Sequence, residues 1–401
     1  MRISTAGIHR NSVSSMLTQQ TLLSRTQNQI ASGKRVQTPA DDPVAAVHLL
    51  ELDRSLTELD QFETNATTTM NRLTFEEQAL SDAGTLLQRV QELTVQANSA
   101  SVDSGGRKMI ADEIRGRLQE LIAIGNTRDA NGEYLFAGFS TKTQPFAQNG
   151  TSVSYFGDQG SRTQQVSQTQ RLADSHSGYE AFMVVPEGNG TFVTSVNPAN
   201  TGSGSIASGS VTDPSAWVPD DYTLRFTSGT TYEVVDSAAN VVTTGTYTPT
   251  SESTSIAFNG VQVNFSGTPA TGDTFAIDRS RTEDIFTTLN TLVNTLESSA
   301  AAGPDRAQFS SNMANALTQL EQASDHLLSV RAQVGTRLSS LDTAQSSRAD
   351  QKLELQRMQG ELRDLDYAEA ISRMNQQLMG LQAAQASYSR ISQLSLFDYL
   401  R

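Results

Sequence analysis

Residues 49–87, LLELDRSLTELDQFETNATTTMNRLTFEEQALSDAGTLL, decide the fold. Leu49, Leu52, Leu56, Leu59, Ala66, Met70, Leu73, Leu80 and Leu87 recur there in three- and four-residue steps, interrupted at Glu63, Glu77 and Gly84. That spacing lines the apolar side chains along one narrow helical stripe, a coiled-coil-like seam sustained over several heptads. Working outward, no proline occurs between Pro43 and Pro145 or after Pro304. Proline lacks the backbone N–H and breaks helix interiors, so both flanks are free to form long helices. Met109, Ile110, Ile114, Leu118, Leu121 and Ile122 mark a shorter helix after a Ser-Gly-Gly turn. Ile285, Leu289, Leu292 and Leu296 begin another, stopped at Gly303-Pro304, and Met313, Leu317, Leu320, Leu327, Val334, Leu338 and Leu341 mark a long one. At a rise of about 1.5 Å per residue such helices make a rod roughly 80–90 Å long. One helix cannot bury its own stripe, so the two flanks are expected to pack on each other.

The middle of the chain has a different composition. Residues 133–280 hold 17 of the 25 aromatics and 15 of the 27 glycines. YTLRF, TYEVVD, VVTTGTYT, SIAFNGVQVNF and DTFAID alternate apolar and polar residues or are rich in β-branched ones, and turn residues separate them. Asn259-Gly260 is a hairpin signal. The TGSGSIASGS run, residues 201–210, reads as a linker or loop. The expected class is therefore α+β and multidomain: a long antiparallel helical rod built from both chain ends, with a central β-rich insert. The expected boundaries are terminal arms at 1–43 and 360–401, a rod at 44–138 and 282–359, and a β-rich domain at 139–281 in one or two subdomains.

The arms carry the candidate site. Met16, Leu23 and Ile30 lie seven apart in a polar field, and Ile371, Met374, Leu378, Leu381 and Tyr388 keep three–four spacing near the other end. Gly33 stands where a C-terminal cap ends the first helix, followed by Lys34 and Arg35. Asp41-Asp42-Pro43 reads as a new helix start, an acidic cap before a proline at the first helical position; a catalytic carboxylate pair is the weaker reading. The ten large apolar side chains of residues 1–43 bury too little to offset the entropy of ordering that backbone. Both arms are therefore expected to be disordered in the free chain and to fold against neighbours.

Charge and composition exclude several functions. Twenty-nine Lys and Arg against 43 Asp and Glu give a formal net charge of −14. A surface that acidic is unsuited to phosphate backbones or anionic lipid, so neither nucleic acid nor membrane is an expected partner. More than half of the charge, −8, falls in residues 133–280, which contain 5 basic and 13 acidic residues, whereas residues 1–43 contain 5 basic and 2 acidic. With no cysteine, disulfides and thiolate chemistry are excluded. The four histidines (His9, His48, His176 and His326) show no ligand spacing, so neither a metal nor a cofactor is expected. Ser104-Gly105-Gly106-Arg107-Lys108 reads as a helix-connecting turn rather than a phosphate loop. Asn149-Gly150-Thr151 and Asn189-Gly190-Thr191 match the glycosylation pattern, a short one that arises readily by chance. Trp217 and its aromatic neighbours read as core rather than a carbohydrate platform. No catalytic constellation emerges, and the N-terminus has no signal-peptide core.

IASGKRVQTPADDPVAA, residues 30–46, is similar to the N-terminal segment of flagellins and flagellin-like axial proteins of the bacterial flagellum. LRDLDYAEAISRMNQQLMGLQAAQASYSRISQLSLFDYL, residues 362–400, resembles their matching C-terminal segment. The MRIST opening, DANGEYLFAGFSTKTQPF at 129–146 and the SLFDYL finish resemble the hook-associated branch at the hook–filament junction. The likeness covers roughly the first 146 and last 120 residues. It implies a structural adaptor exported unfolded by the flagellar type III apparatus, without a cleaved signal peptide, to the cell exterior. The implied partners are further copies in a ring, the first hook-associated protein, flagellin, and an export chaperone at the C-terminal region. The assembly positions it implies are Gly33, Lys34, Arg35, Asp41, Asp42 and Pro43 at the front, with Asp364, Asp366, Leu378, Leu381, Leu396 and Phe397 at the back. A flagellin that propagates with its own kind, and an adhesin that uses the β-rich part, are the competing readings.

Overall fold

The structure, a computed structural model, describes residues 5–99, 101–298 and 302–393; Leu396 and Phe397 lie outside the described residues. Among the described residues six helices carry the two flanks: α1 (Thr5–Ser32), α2 (Pro43–Ala97), α3 (Ser104–Gly125), α4 (Ile285–Glu297), α5 (Pro304–Arg363) and α6 (Tyr367–Gln393). The strands lie between α3 and α4, so the chain is α+β with a β-rich insert between helical ends. It divides into two compact units, Met1–Thr64 with Thr343–Arg401 and Asn65–Asp342.

In the larger unit the stripe deepens into two interleaved series. Ala66, Leu73, Leu80, Leu87 and Thr94 recur every seven residues, as do Thr69, Glu76, Ala83, Val90 and Ala97, and all ten are buried. Met313, Leu320, Leu327, Val334 and Leu341 of α5 repeat at the same interval and are also buried. With α3 and α4 they form one apolar core. Arg331 on α5 reaches Glu77 on α2 at 2.7 Å beside that core. α3 departs from expectation in two respects. Ser104-Gly105-Gly106 is its first turn, capped by Asp103, whose side chain accepts from Gly106 N at 2.7 Å. Met109 is 70% exposed, whereas Arg107 is buried with its guanidinium 5.1 Å from the Phe309 ring centre.

The β-rich insert divides between two cores. Its first part comprises β1 (Phe146–Asn149), β2 (Ser152–Tyr155), β3 (Thr163–Gln165), β4 (Arg171–Ala173), a π-helical turn at Tyr179–Met183, and β5 (Val185–Pro186). This part joins the helical core through Phe146, Val153, Val166, Phe182 and Val185. Phe146 sits 5.0 Å from Phe286 of α4 and 5.6 Å from Phe182, ring centre to ring centre. A Cβ on Gly125 or Gly178 would come within 2.7 Å of that ring, so only glycine fits at either position. Residues 174–178 cross α2 wholly buried. There Glu76 Oε1 accepts from the backbone N of His176 at 2.9 Å and lies 2.7 Å from its Nδ1. One turn earlier, the buried Arg72 guanidinium reaches Asp129 at 2.6 Å and donates to Tyr134 O at 2.9 Å.

The second part is a sandwich with its own core. β6 (Phe192–Val196), β8 (Tyr222–Phe226), β9 (Thr231–Val235), β10 (Val241–Thr246) and β13 (Thr274–Arg279) form an antiparallel sheet in the order β10-β9-β8-β13-β6. β7 (Ser205–Val211), β11 (Thr250–Phe258) and β12 (Val261–Gly267) form the other, in the order β11-β12-β7. Phe226, Tyr247, Phe265 and Phe275 stack between the sheets. Trp217 packs against this core 5.7 Å from Tyr222. Asn259 and Gly260, at φ 43° and 74°, make the turn between β11 and β12. The linker expected at 201–210 is corrected in its second half: Ser205–Val211 is a strand. Ile206 is buried, and a Cβ on Gly209 would strike Gln262 O, so the small residues let two backbones meet closely. The Asn189 side chain is spent on the backbone of Thr191, Phe192 and Gly209.

Candidate assembly surface

The smaller unit contains the expected site, and local capping chemistry builds its corner. α1 stops at Ser32 because Gly33 turns left-handed at φ 70°. The reversed chain then pairs with the corner between α5 and α6: Arg35 N donates to Arg363 O at 2.7 Å and Leu365 N to Gly33 O at 3.0 Å. Lys34 bridges Asp364 through the backbone, and the Arg35 guanidinium donates to Leu362 O at 2.8 Å. Asp41 accepts from Thr38 N at 2.9 Å and Gln37 N at 3.1 Å and meets Arg25 of α1 at 2.7 Å. The Thr38 amide leads in holding the Asp41 carboxyl below the usual aspartate range, with the Gln37 amide, the Thr38 hydroxyl and Arg25 adding to it against burial. Asp42 caps α2 through Ala45 N at 3.0 Å, ahead of Pro43 at the first helical position. Asp366 caps α6 through Ala368 N and Glu369 N at 2.9 and 3.1 Å. Gly33, Lys34, Arg35, Asp41, Asp42, Pro43, Asp364 and Asp366 thus make an intrachain corner.

The helical stripe residues divide into two groups. α1 pairs with α6 through Gln19 Nε2, which donates to Gln377 O at 3.3 Å, and through the edge-on rings of His9 and Tyr388, 5.5 Å apart. Met16 and Ile30 are half-buried on α1, with Leu23 buried between them. On α6, Ala370 is buried and Met374, Leu381 and Tyr388 are half-buried. Ile371 and Leu378 are instead 45% and 39% exposed, and Met379 is 60% exposed. Val13, Leu17 and Leu22 of α1 are exposed in the same way. Ile371 and Leu378 were named from the sequence, whereas Val13, Leu17, Leu22 and Met379 of this second set were missed, together with Arg25, the ion-pair partner of Asp41. For Leu17, Leu22 and Met379 the available signal was apolar side chains that fall outside the seven-residue series. Two clefts of about 500 and 260 Å³ border the Arg25–Asp41 pair; Gln20, Ser24 and Asn28 line the first, and Arg35, Arg373 and Gln377 the second. Lysine and acidic side chains support the same unit where Lys352 meets Asp60 at 2.7 Å.

Among the described residues no group of three or more His, Asp and Glu could hold a metal ion, and no helix is long and apolar enough to cross a membrane. The apolar side chains left exposed on this unit lie on helices α1 and α6.

Comparisons with known proteins agree with this layout. The bacterial flagellin N-terminal helical region matches residues 3–141 and the bacterial flagellin C-terminal helical region residues 317–400. Between them the D2-like domain of flagellar hook-associated protein 1 matches residues 195–279, the sandwich. The fold is that of a flagellin-like axial protein of the flagellum. Flagellar hook-associated protein 3 of Salmonella typhimurium is 25% identical over 401 residues, the whole of both chains. The crystal structure of the flagellar junction protein FlgL from Legionella pneumophila is 30% identical, with a TM-score of 0.72, covering 79% of this chain and all of that one. A phase 1 flagellin of Salmonella naestved is 30% identical over only 154 residues, 37% of this chain and 30% of its own. The chain belongs to the family of flagellar hook-associated protein 3. It is a structural protein of the flagellum, joining hook to filament, and flagellin is the less supported alternative.

Proposed function

We propose that the chain acts at the hook–filament junction as a ring subunit, and that its smaller unit is the part that meets neighbours. One observation carries this reading: Leu17, Leu22, Ile371, Leu378 and Met379 remain exposed while the sister stripe of the same two helices is used within the chain. Apolar side chains gathered on one unit mark a protein contact more than chance exposure does. The partners on this reading are further copies of the chain, the first hook-associated protein on the hook side, flagellin on the filament side, and an export chaperone at the C-terminal region. Residues 1–43 and 360–401 are the assembling arms, which order fully only against neighbours. Residues 44–138 and 282–359 form the rod, and 139–281 the β-rich domain. Export through the flagellar type III apparatus accounts for how the chain reaches its place.

The test contrasts two leucines on α6. Leu378→Asp places a charge on the free stripe and is expected to abolish junction assembly, scored as hooks without filaments by electron microscopy, with an unchanged circular-dichroism spectrum. Leu381→Asp strikes the α1 seam and is expected to lose arm helicity as well. Normal filaments on cells carrying Leu378→Asp would refute the assignment of that stripe. Long filaments grown by the purified protein from filament fragments would favour flagellin instead.

A further inference from the structure

The sandwich and the helical core meet without sharing an apolar residue: Phe192, Ile206 and Phe275 belong to one cluster, Val185, Leu320 and Phe286 to the other. What joins them is polar. A neck of two short strands, β5 with β14 (Thr282–Glu283), carries the chain in and out of the sandwich. Beside it a stripe of small polar side chains on α5 grips the sandwich backbone. Ser311 Oγ accepts from Ile206 N at 2.9 Å, and Asn315 Oδ1 accepts from the Thr194 hydroxyl at 2.9 Å. Gln319 Oε1 accepts from Gly188 N at 2.8 Å. Their spacing of four places all three on one face of the helix. Interfaces this polar, inside one chain, are those across which domains move.

The neck also concentrates negative charge. Glu187 and Glu283 line a cleft of about 260 Å³ with Thr288 of α4 and Asn312, Asn315 and Gln319 of α5, so both helices contribute only neutral groups to its lining. Asp278 at the end of β13 and Asp284 at the cap of α4 add to the field. Of the nearby cations, Arg279 and Arg281 reach Asp221 at 3.7 and 3.6 Å, and Arg281 offsets the field at Asp278 only in part. We propose that this neck is a charge-sensitive hinge, in which repulsion among Glu187, Asp278 and Glu283 loosens the sandwich from the α5 stripe and their neutralisation seats it.

Burial pushes the Asp278 carboxyl up first, with Asp221 and Glu187 adding and Arg281 opposing. Burial likewise pushes Glu283 up, opposed by the Thr288 hydroxyl and reinforced by Glu187 and Asp284. A carboxyl whose value is raised in the seated state favours that state when protonated. Seating therefore strengthens as pH falls through the raised values and weakens as pH rises.

The test is amide hydrogen exchange of the full chain at pH 4, near the ordinary carboxylate values, and at pH 8, corrected for the intrinsic pH dependence of exchange. The Gly188 and Ile206 amides, which donate to Gln319 and Ser311, report seating, and the Leu224 and Val234 amides inside the sandwich report its integrity. The native chain is expected to lose severalfold protection at Gly188 and Ile206 on going to pH 8, with Leu224 and Val234 unchanged. Asp278→Asn with Glu283→Gln should remove that loss, each unit of pKa shift relieved being worth about tenfold. Equal corrected protection at both pH values in the native chain would overturn the proposal, as would a parallel loss at Leu224 and Val234. Asn315→Ala, which loosens the grip without touching a charge, should lower Gly188 and Ile206 protection at both pH values; no change there would also overturn it.

Discussion

Glu76→Ala is the most informative perturbation of the fold. Glu76 and His176 are both fully buried, and Glu76 Oε1 receives the backbone N–H of His176 at 2.9 Å while its Nδ1 lies at 2.7 Å. Truncation leaves two buried donors without an acceptor, each costing about 1–3 kcal/mol, so the loss is about 2–6 kcal/mol. At a urea slope of about 1–3 kcal/mol per molar, the midpoint of the helical core falls by about one molar or more. Glu76→Gln restores an acceptor where Oε1 stood and replaces Oε2, which has no hydrogen-bond partner, so most of the loss should return. The assay follows urea unfolding by two probes: circular dichroism at 222 nm reports the helices, and the lone tryptophan, Trp217, reports the sandwich. The helical transition should shift in Glu76→Ala and the Trp217 transition much less, because the two cores share no residue. A helical midpoint equal to that of the native chain would refute the reasoning about the buried pair. A tryptophan transition that moves as far as the helical one would refute the independence of the two cores.

Three further outcomes follow from local geometry. Gly33→Ala forces a side chain into φ 70° and sets its Cβ 2.9 Å from the Tyr367 hydroxyl, so the corner should lose about 1–2 kcal/mol, read as faster exchange of the Arg35 and Leu365 amides. Ala239→Gly relieves a left-handed alanine at φ 63° between β9 and β10 and should raise the Trp217 unfolding midpoint; a fall would show that the turn needs the methyl group. Asp41 is held below the usual aspartate range, so its contribution to the corner is complete above the ordinary value of 3.8 and disappears as pH falls through the lower folded value. The Thr38 amide shift should accordingly titrate in acid in the native chain and stay flat in Asp41→Asn.

What the sequence disclosed depended on whether the signal was local. Capping is written within four or five residues, so the corner at Gly33 and Asp41-Asp42-Pro43 was legible without any knowledge of partners. The Leu73, Leu80 and Leu87 series was legible because its members are apolar, whereas its companion series was hidden by two buried polar residues: Thr69, whose hydroxyl donates to Asn65 O in its own helix, and Glu76, whose partner lies a hundred residues away. His176 was unreadable for the same reason, since nothing near it in sequence announces Glu76. Residues 205–210 were misread because composition speaks for flexibility, while the strand is held by β12 and by Ser311. The α6 stripe shows the remaining limit most clearly. Ile371 and Leu378 are seven apart, and so are Met374, Leu381 and Tyr388, so periodicity merges two lines of side chains that lie side by side. Only α1 separates them, by covering one line and leaving the other in water. A helix that needed one apolar face to hold its own chain would have no use for the second. On the proposed function the exposed line is the part of α6 that meets another molecule, so a charge at Leu378, and not at Leu381, is expected to break assembly without unfolding the arm.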